Sequence, residues 1–252
     1  MPSKGFTLIE IMVAMVIGLV VIGGATAMFY SIHRSYVLQL AISRVEDEGQ
    51  FAVQYMGDII RMAGYRHMMA PDPQGLAFDG GTLILRLDTT FGCDGQKLAQ
   101  YEAYEYQFSL GDDQSLQRTC SSSGGGNITT QESTTTEPIA GSSNSRYGAQ
   151  IEDLQFRVGI DQDGDGSVDR YDQSTTVNWE KPEESLQVRS VQLCLEVASS
   201  DPVFHDQNIS KPYLPCSAWS TGSTSESVPD YCQDRYCQVF LSTIYLRNRG
   251  MP

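Results

Sequence analysis

Residues 4–30 read KGFTLIEIMVAMVIGLVVIGGATAMFY, an apolar run that carries only Thr7, Glu10 and Thr26 as polar side chains from residue 6 onward. About 20 apolar residues suffice for a helix to cross a bilayer. The run exceeds the apolar core of a secretory signal, and no A-x-A-like cleavage site follows it, so we expect it to be retained. Lys4 before the run and acidic residues after it predict a cytoplasmic N-terminus and an exported remainder.

The next segment, residues 31–66, continues the helical pattern. Apolar residues recur at helical spacing with a gap at Gly49, and no proline occurs between residues 6 and 66. The recurring positions are Leu38, Ile42, Val45, Ala52, Met56, Ile59 and Ala63. The pattern predicts one helix of about 58 residues, or ~87 Å, that ends near Gly64. We expect its first half in lipid or a filament core and its second half against a globular domain.

Three glycines, Gly18, Gly23 and Gly24, interrupt the apolar half of this helix. Glycine costs up to about 1 kcal/mol in a helix interior relative to alanine. The glycines therefore mark either a place where the helix bends or melts on entering a filament, or a surface for close helix packing.

From Pro71 onward the sequence predicts strands and turns, several of the strands with alternating polarity. The candidate strands are residues 82–92, 99–111, 149–161, 185–199 and 236–248. The polar, low-complexity segment 121–148 predicts a mobile surface loop. The fold class expected is α+β, with a long N-terminal helix packed on an antiparallel β-sheet domain with disulfides.

The charge balance is strongly acidic, with 17 Lys and Arg against 31 Asp and Glu and a formal net charge of −14. Nucleic acids and anionic lipid headgroups require clustered positive charge, so they are not expected as main partners. An enzyme is not indicated either. The three histidines show no partner spacing, and the sequence lacks a G-x-S-x-G motif and a phosphate-binding loop.

Six cysteines all lie in the presumed exported part, which favours up to three disulfides over a zinc site. They are Cys93, Cys120, Cys194, Cys216, Cys232 and Cys237. Only the last two are close in sequence, and no second close pair or nearby histidine completes a set of four zinc ligands. We expect Cys93 to pair with Cys120, which flank a hairpin-like segment, and the other four to pair among themselves.

The loop DQDGDGSVDRYD, residues 161–172, matches a calcium loop of the EF-hand type through nine positions. The candidate ligands are Asp161, Asp163, Asp165, the backbone carbonyl of Ser167, Asp169 and Asp172. The twelfth position is aspartate rather than glutamate, and a strand-like segment precedes the loop instead of a helix. The alternative is an acidic turn between two strands.

The segment Lys4 to Glu10, KGFTLIE, resembles the processing site of type IV prepilins and of type II secretion pseudopilins. The resemblance implies a leader of residues 1–5, cleavage after Gly5 by a membrane prepilin peptidase, and N-methylation of Phe6. It also implies an assembly helix, a transmembrane segment at 6–30 continued by an amphipathic half at 31–64, and a head at 65–252. In a filament, Glu10 could meet the Phe6 ammonium of a neighbouring subunit, which would set register because misalignment leaves a charge unpaired.

Residues 150–250, with Trp179 and a terminal TIYLRNRG, resemble PilW-type minor pilins, whose structural relatives are the J-type minor pseudopilins of type II secretion. The resemblance implies a minor pilin that joins other minor pilins in a tip or priming complex. Alternatives are a J-type pseudopilin and a tip adhesin subunit. Expected partners are minor and major pilins, the inner-membrane assembly platform, a tip adhesin and, before assembly, inner-membrane lipid. The head would lie in the periplasm first and at the pilus tip or cell surface afterwards.

Overall fold

A computed structural model of the chain describes residues 5, 7–67, 75–79, 81–123, 131–141, 148–173, 177, 181–203, 214–221 and 229–248. Its helices are α1 (Leu8–Arg61), α2 (Pro182–Ser185) and α3 (Cys216–Thr221), with a 3-10 turn at Asp230–Cys232. Its strands are β1 (Leu76–Asp79), β2 (Thr82–Phe91), β3 (Lys97–Leu110), β4 (Leu116–Ser123), β5 (Gln131–Ala140), β6 (Ala149–Ile160), β7 (Arg170–Gln173), β8 (Val188–Ser199) and β9 (Cys237–Tyr245). The α+β class with antiparallel strands is therefore confirmed.

The chain divides into two units, residues 1–40 and 41–252. In the first unit, α1 is apolar, exposed on all sides, and long and apolar enough to cross a membrane. It passes through Gly18, Gly23 and Gly24 without a break. Among the described residues, no neighbouring atom lies within 4 Å of where a Cβ would stand at any of the three, so the described part of this unit has no close packing at the glycines.

The described residues of the second unit form two antiparallel sheets. One is a five-stranded meander in the order β1-β2-β3-β4-β5, and the other has four strands in the order β7-β6-β8-β9. In the four-stranded sheet the central pair is β6 with β8, in which Phe156 lies opposite Leu193 and Val158 opposite Val191. Side chains alternate across each strand, so every second residue points to the same face.

One hydrophobic core joins α1 from Val45 onward to both sheets. Met56 and Ile60 of α1, Phe108 of β3 and Leu193 of β8 are all fully buried in it. The gap that the sequence shows in the apolar pattern of α1 also has a packing role. At Gly49 the aromatic ring of Phe240 lies against the helix backbone, with Cδ2 2.6 Å from where a Cβ would stand.

The helix ends close to where the sequence predicts. α1 stops at Arg61, and Gly64 has φ of 76°, the left-handed conformation that glycine adopts without steric cost. The backbone N–H of Gly64 donates to the carbonyl of Arg86 in β2 at 2.8 Å. The glycine thus turns the chain out of the helix and ties it to the first sheet.

The prediction of a single mobile loop at 121–148 is wrong for residues 121–123 and 131–140, and residues 124–130 and 142–147 lie outside the described residues. β4 continues to Ser123, and residues 131–140 form β5, which pairs with β4 along its length. Both strands are rich in serine and threonine, and the hydroxyls of Thr119 and Thr136 hydrogen-bond across the pair at 3.0 Å. Polar side chains occupy both faces of these strands, so the alternation of a half-buried strand is absent and the sequence pattern does not reveal them.

All six cysteines form disulfides, and the expected Cys93–Cys120 pair is confirmed. It joins the β2–β3 connection to β4. The remaining pairs are Cys194–Cys216, which holds α3 to β8, and Cys232–Cys237, which closes the turn before β9. The described part of the chain has no free cysteine.

Candidate functional site

The start of α1 is built by a reciprocal hydrogen-bond pair between Thr7 and Glu10. The backbone N–H and the hydroxyl of Thr7 donate to Glu10 Oε2 at 3.2 and 3.1 Å, and the N–H of Glu10 donates to Thr7 Oγ1 at 3.4 Å. This is a capping box, in which a threonine and a glutamate three residues later satisfy orphan N–H groups of a helix start. Gly5 is exposed, and Phe6 lies outside the described residues.

The capping box is a functional arrangement that the sequence analysis missed. The signal was present, because T-L-I-E before an apolar run is the pattern of such a box. Both capping bonds from Thr7 go to Oε2 of this exposed carboxylate, so Oε1 takes no part in the capping box. The expected role of Glu10 in subunit docking remains a prediction.

A second polar side chain in the apolar half, Thr26, is satisfied within the helix. Its hydroxyl donates to the carbonyls of Ile22 and Gly23 at 3.0 and 2.9 Å. A threonine that bonds back to the preceding turn leaves no free polar group to contact hydrocarbon. The threonine is therefore compatible with lipid or with a filament core.

The predicted calcium loop brings together three of its expected ligands. Asp161, Asp163 and Asp169 each offer a carboxylate oxygen, and these oxygens lie within 4.8 Å of one another. The loop is shaped by its own backbone, because Gly164 and Gly166 adopt φ of 79° and 90°. Their N–H groups donate to the two oxygens of Asp161 at 2.7 and 3.0 Å. Three carboxylate oxygens at this spacing suit a hard cation such as calcium.

The two other predicted carboxylate ligands, Asp165 and Asp172, are not part of this group of three. The Asp165 carboxylate accepts from the N–H of Ser167 at 2.7 Å, and Asp172 lies in β7 with its carboxylate on Arg170 at 2.9 Å. Neither carboxylate belongs to the group of three. The carbonyl at position 167 is therefore the remaining loop ligand to consider.

A partly buried arginine neutralises the carboxylate at the first position of the loop. Arg189 of β8 donates to Oδ2 of the buried Asp161 at 2.8 Å. Burial alone would raise the pKa of Asp161. The hydrogen bonds from Arg189 and from the N–H groups of Gly164 and Gly166 outweigh burial, so the pKa lies below its ordinary value. The guanidinium of Arg189 thus supplies a positive charge at the loop, and Oδ2 of Asp161 accepts from both Arg189 and the N–H of Gly166.

A buried polar cluster on the outer face of β8 was not expected from the sequence. Glu196 is fully buried and accepts from the hydroxyl of Tyr231 and from the N–H of Cys216 at 3.2 Å. Burial, reinforced by the hydrogen bond to Glu196, raises the pKa of Tyr231 far above its ordinary value. Nearby, Arg235 donates to Glu152 at 3.3 Å. These contacts hold the segments closed by the Cys194–Cys216 and Cys232–Cys237 disulfides against the sheet.

The N-terminus and the head each match a known family. Residues 1–26 match the prokaryotic N-terminal methylation motif. With one long apolar helix leading into an antiparallel β domain, this motif defines a type IV pilin-like protein. Residues 107–248, more than half of the chain, match type IV pilus-assembly protein W, PilW. The chain belongs to that family.

A solved structure of similar type is that of a type IV-like pilin from Thermus thermophilus. The two chains share 13% identity, and the match covers 82% of this chain and 99% of that chain with a TM-score of 0.47. No curated protein matches the sequence.

Family membership fixes the broad class of function. The family and fold are those of pilins, which are structural proteins rather than enzymes. The methylation motif and the apolar helix make the chain a membrane-anchored pilin that is later assembled into a pilus. Its partners are therefore other pilins and the assembly machinery.

Proposed function

We propose that the chain is a minor pilin that primes or caps type IV pilus assembly as part of a minor-pilin tip complex. The observation that carries the proposal is the joint presence of the methylation motif at residues 1–26 and the pilus-assembly family match at residues 107–248. The exported head would meet other minor pilins, and the apolar helix would enter the filament core.

Deletion of the gene separates this function from its two rivals. A priming subunit predicts loss or sharp reduction of surface pili while major pilin accumulates in the membrane. An adhesin predicts a normal number of pili with loss of attachment, and a J-type pseudopilin predicts blocked secretion of folded exoproteins. Normal piliation after deletion would overturn the proposal.

We further propose that Gly5 and Phe6 form the processing site and that Glu10 docks the subunit. Cleavage after Gly5 leaves Phe6 as the methylated terminus. The Glu10 carboxylate then receives the Phe6 ammonium of the neighbouring subunit at the oxygen that the capping box does not use. The exposed position of Glu10 at the helix start supports this, because the charge stays reachable before docking.

Substitutions can separate the charge of Glu10 from its capping role. Glu10→Gln keeps an acceptor for the capping box but removes the charge, whereas Thr7→Val removes the capping hydroxyl and keeps the charge. We expect both variants to be processed, and only Glu10→Gln to enter pili poorly. The measurement is the ratio of each variant in sheared pili to that in membranes. Normal incorporation of Glu10→Gln would refute the ion-pair role.

The acidic loop supports a second, independent proposal, a calcium site on the head. We propose that Asp161, Asp163 and Asp169 bind calcium, with the carbonyl of residue 167 as a further ligand. The carboxylates of Asp163 and Asp169 are exposed and can receive an ion, while Arg189 retains its bond to the first position. A weak site would still fill where calcium is near millimolar.

Calcium binding is measured by the melting temperature of the full-length chain in detergent, with calcium or with a chelator. Ligand at 100 times its dissociation constant adds about 2.7 kcal/mol to stability. Asp169→Asn should abolish the calcium-dependent shift. Asp201→Asn, a change of the same chemistry outside the loop, should leave it intact. An equal melting temperature with calcium and chelator would refute the site.

A further inference from the structure

The strand β9 forms one edge of the four-stranded sheet and pairs with β8 alone among the described residues. It is nine residues long, reads CQVFLSTIY, and contains neither a charged residue nor a proline. An edge strand presents unpaired N–H and C=O groups that can accept another strand. Soluble proteins normally block such an edge.

The other three sheet edges carry the usual protection. β1 and β7 are only four residues long, and β7 bears the Arg170–Asp172 ion pair. β5 is longer but contains Pro138, which cannot donate to a ladder, and Glu137, which pairs with Arg118. Short length, charge and proline are devices that prevent edge-to-edge association. β9 has none of them.

The two faces of β9 differ in a way that suits docking. Phe240 and Ile244 point inward, toward α1 and the core. On the opposite face Leu241 and Tyr245 are 60% and 62% exposed, four residues apart on the same side of the strand, with exposed Thr243 between them. Because Phe240 and Ile244 anchor the strand on the core, a partner would meet a preformed strand.

We propose that β9 accepts an extended segment of a different pilin subunit, which adds a fifth strand to this sheet. The proposal rests on the proposed function, since it names the partner class in the minor-pilin complex. Main-chain hydrogen bonds would supply affinity, and alternate apolar side chains of the incoming strand would contact Leu241 and Tyr245. The uncharged edge sets the chemistry of the partner: a segment of several residues without charge on the side that meets β9.

Charge favours a different subunit over a second copy of this chain. Each copy carries a formal net charge of −14, so two heads placed edge to edge repel one another. A basic pilin does not meet this repulsion and approaches with complementary charge. The edge therefore selects against self-pairing while remaining open to another chain.

The test uses the full-length chain in its own membranes, with a photo-crosslinking phenylalanine analogue in place of Thr243. We expect a product whose partner peptide, sequenced by mass spectrometry, lies in an extended segment of another pilin. Leu241→Lys should lower the yield at least about tenfold, because docking would then bury an uncompensated ammonium. Leu110→Lys, the same change at an exposed leucine at the end of β3, is the matched control and should leave the yield unchanged.

Four results would overturn the proposal: no product, a product with a second copy of this chain, a product with a protein that is not a pilin, or equal losses from the two lysine variants. Both substituted leucines are exposed, so the melting temperatures of the variants should match that of the unsubstituted chain. If gene deletion abolishes pili while Leu241→Lys leaves crosslinking intact, the docking edge is wrong and the proposed function stands. If a crosslink to another pilin forms while deletion leaves piliation normal, the docking edge stands and the proposed function is wrong.

Discussion

Gly49 and Gly57 lie two turns apart in α1, and the structure predicts opposite effects for the same substitution at each. Both are buried glycines in the interior of the helix. At Gly49 an added Cβ would overlap the ring of Phe240. At Gly57 it would stand 3.7 Å from Ile244 Cδ1 and 3.6 Å from Arg61 Nη1, which is ordinary van der Waals contact. Helix propensity alone would make both changes stabilising.

The magnitudes follow from two terms. Replacing glycine by alanine in a helix interior gains about 0.8–1 kcal/mol in helix propensity. Overpacking a well-filled core costs roughly 1–3 kcal/mol, and at position 49 this cost opposes the gain. Gly57→Ala should therefore stabilise the head by up to about 1 kcal/mol, and Gly49→Ala should destabilise it by about 0–2 kcal/mol. The two variants should thus differ by roughly 1–3 kcal/mol.

The assay is thermal unfolding of the full-length chain in detergent, followed by near-ultraviolet circular dichroism. For a chain of this size 1 kcal/mol shifts the melting temperature by about 2–4 °C, so the two variants should differ by roughly 2–12 °C. Phe240→Leu in the Gly49→Ala background should recover stability, and a double-mutant cycle measures that coupling. If Gly49→Ala melts as high as Gly57→Ala, or shows no coupling to Phe240, the proposed ring contact is wrong.

Three further changes test other parts of the head by the same melting assay. Gly64→Ala should lower the free energy of unfolding by about 1–2 kcal/mol because residue 64 has a positive φ. Gly64→Asn should lower it less because asparagine tolerates that conformation, and equal losses would contradict this explanation. Glu196→Gln should cost about 1–3 kcal/mol through its buried bonds to Tyr231 and Cys216, and a neutral effect would show that the carboxylate is not needed. Burial and the nearby Glu196 raise the pKa of Glu152 above its ordinary 4.5 despite Arg235, so the charged form of Glu152 destabilises the folded state at pH values above the folded pKa. Relative to Glu152→Gln, the unsubstituted chain should therefore gain stability as the pH falls from about 7 to 4.5. A difference in stability that stays constant over this range would refute the raised pKa.

The long helix and five strands could be predicted because their signals are local. An unbroken apolar run, helical spacing and the absence of proline define α1, and alternation defines strands such as β2 and β6. β4 and β5 carry polar side chains on both faces, so the period that identifies a half-buried strand is absent. Their pairing depends on neighbours in space, which a single sequence does not give.

The candidate sites likewise combine features that the sequence shows with contacts that form only in the folded chain. The spacing of Asp161, Asp163 and Asp169 identifies an acidic loop from the sequence alone. The ion pair from Arg189 is invisible to that reasoning, because the arginine is 28 residues further along and reaches the loop only through the pairing of β6 with β8. At Gly49 the sequence shows the gap in the apolar pattern, but it does not show that Phe240 of the last strand fills this gap.

The connectivity of the disulfides bears on how the protein is made. Each bond joins cysteines that are consecutive in the chain, in the order Cys93–Cys120, Cys194–Cys216 and Cys232–Cys237. An exported chain emerges from its N-terminal end, so each second cysteine arrives when only its correct partner is still reduced. An oxidase that acts as the thiols emerge would therefore produce the native set directly, without an isomerase to reshuffle wrong pairs. Because the partners are consecutive in the chain, export from the N-terminal end favours formation of the correct disulfides.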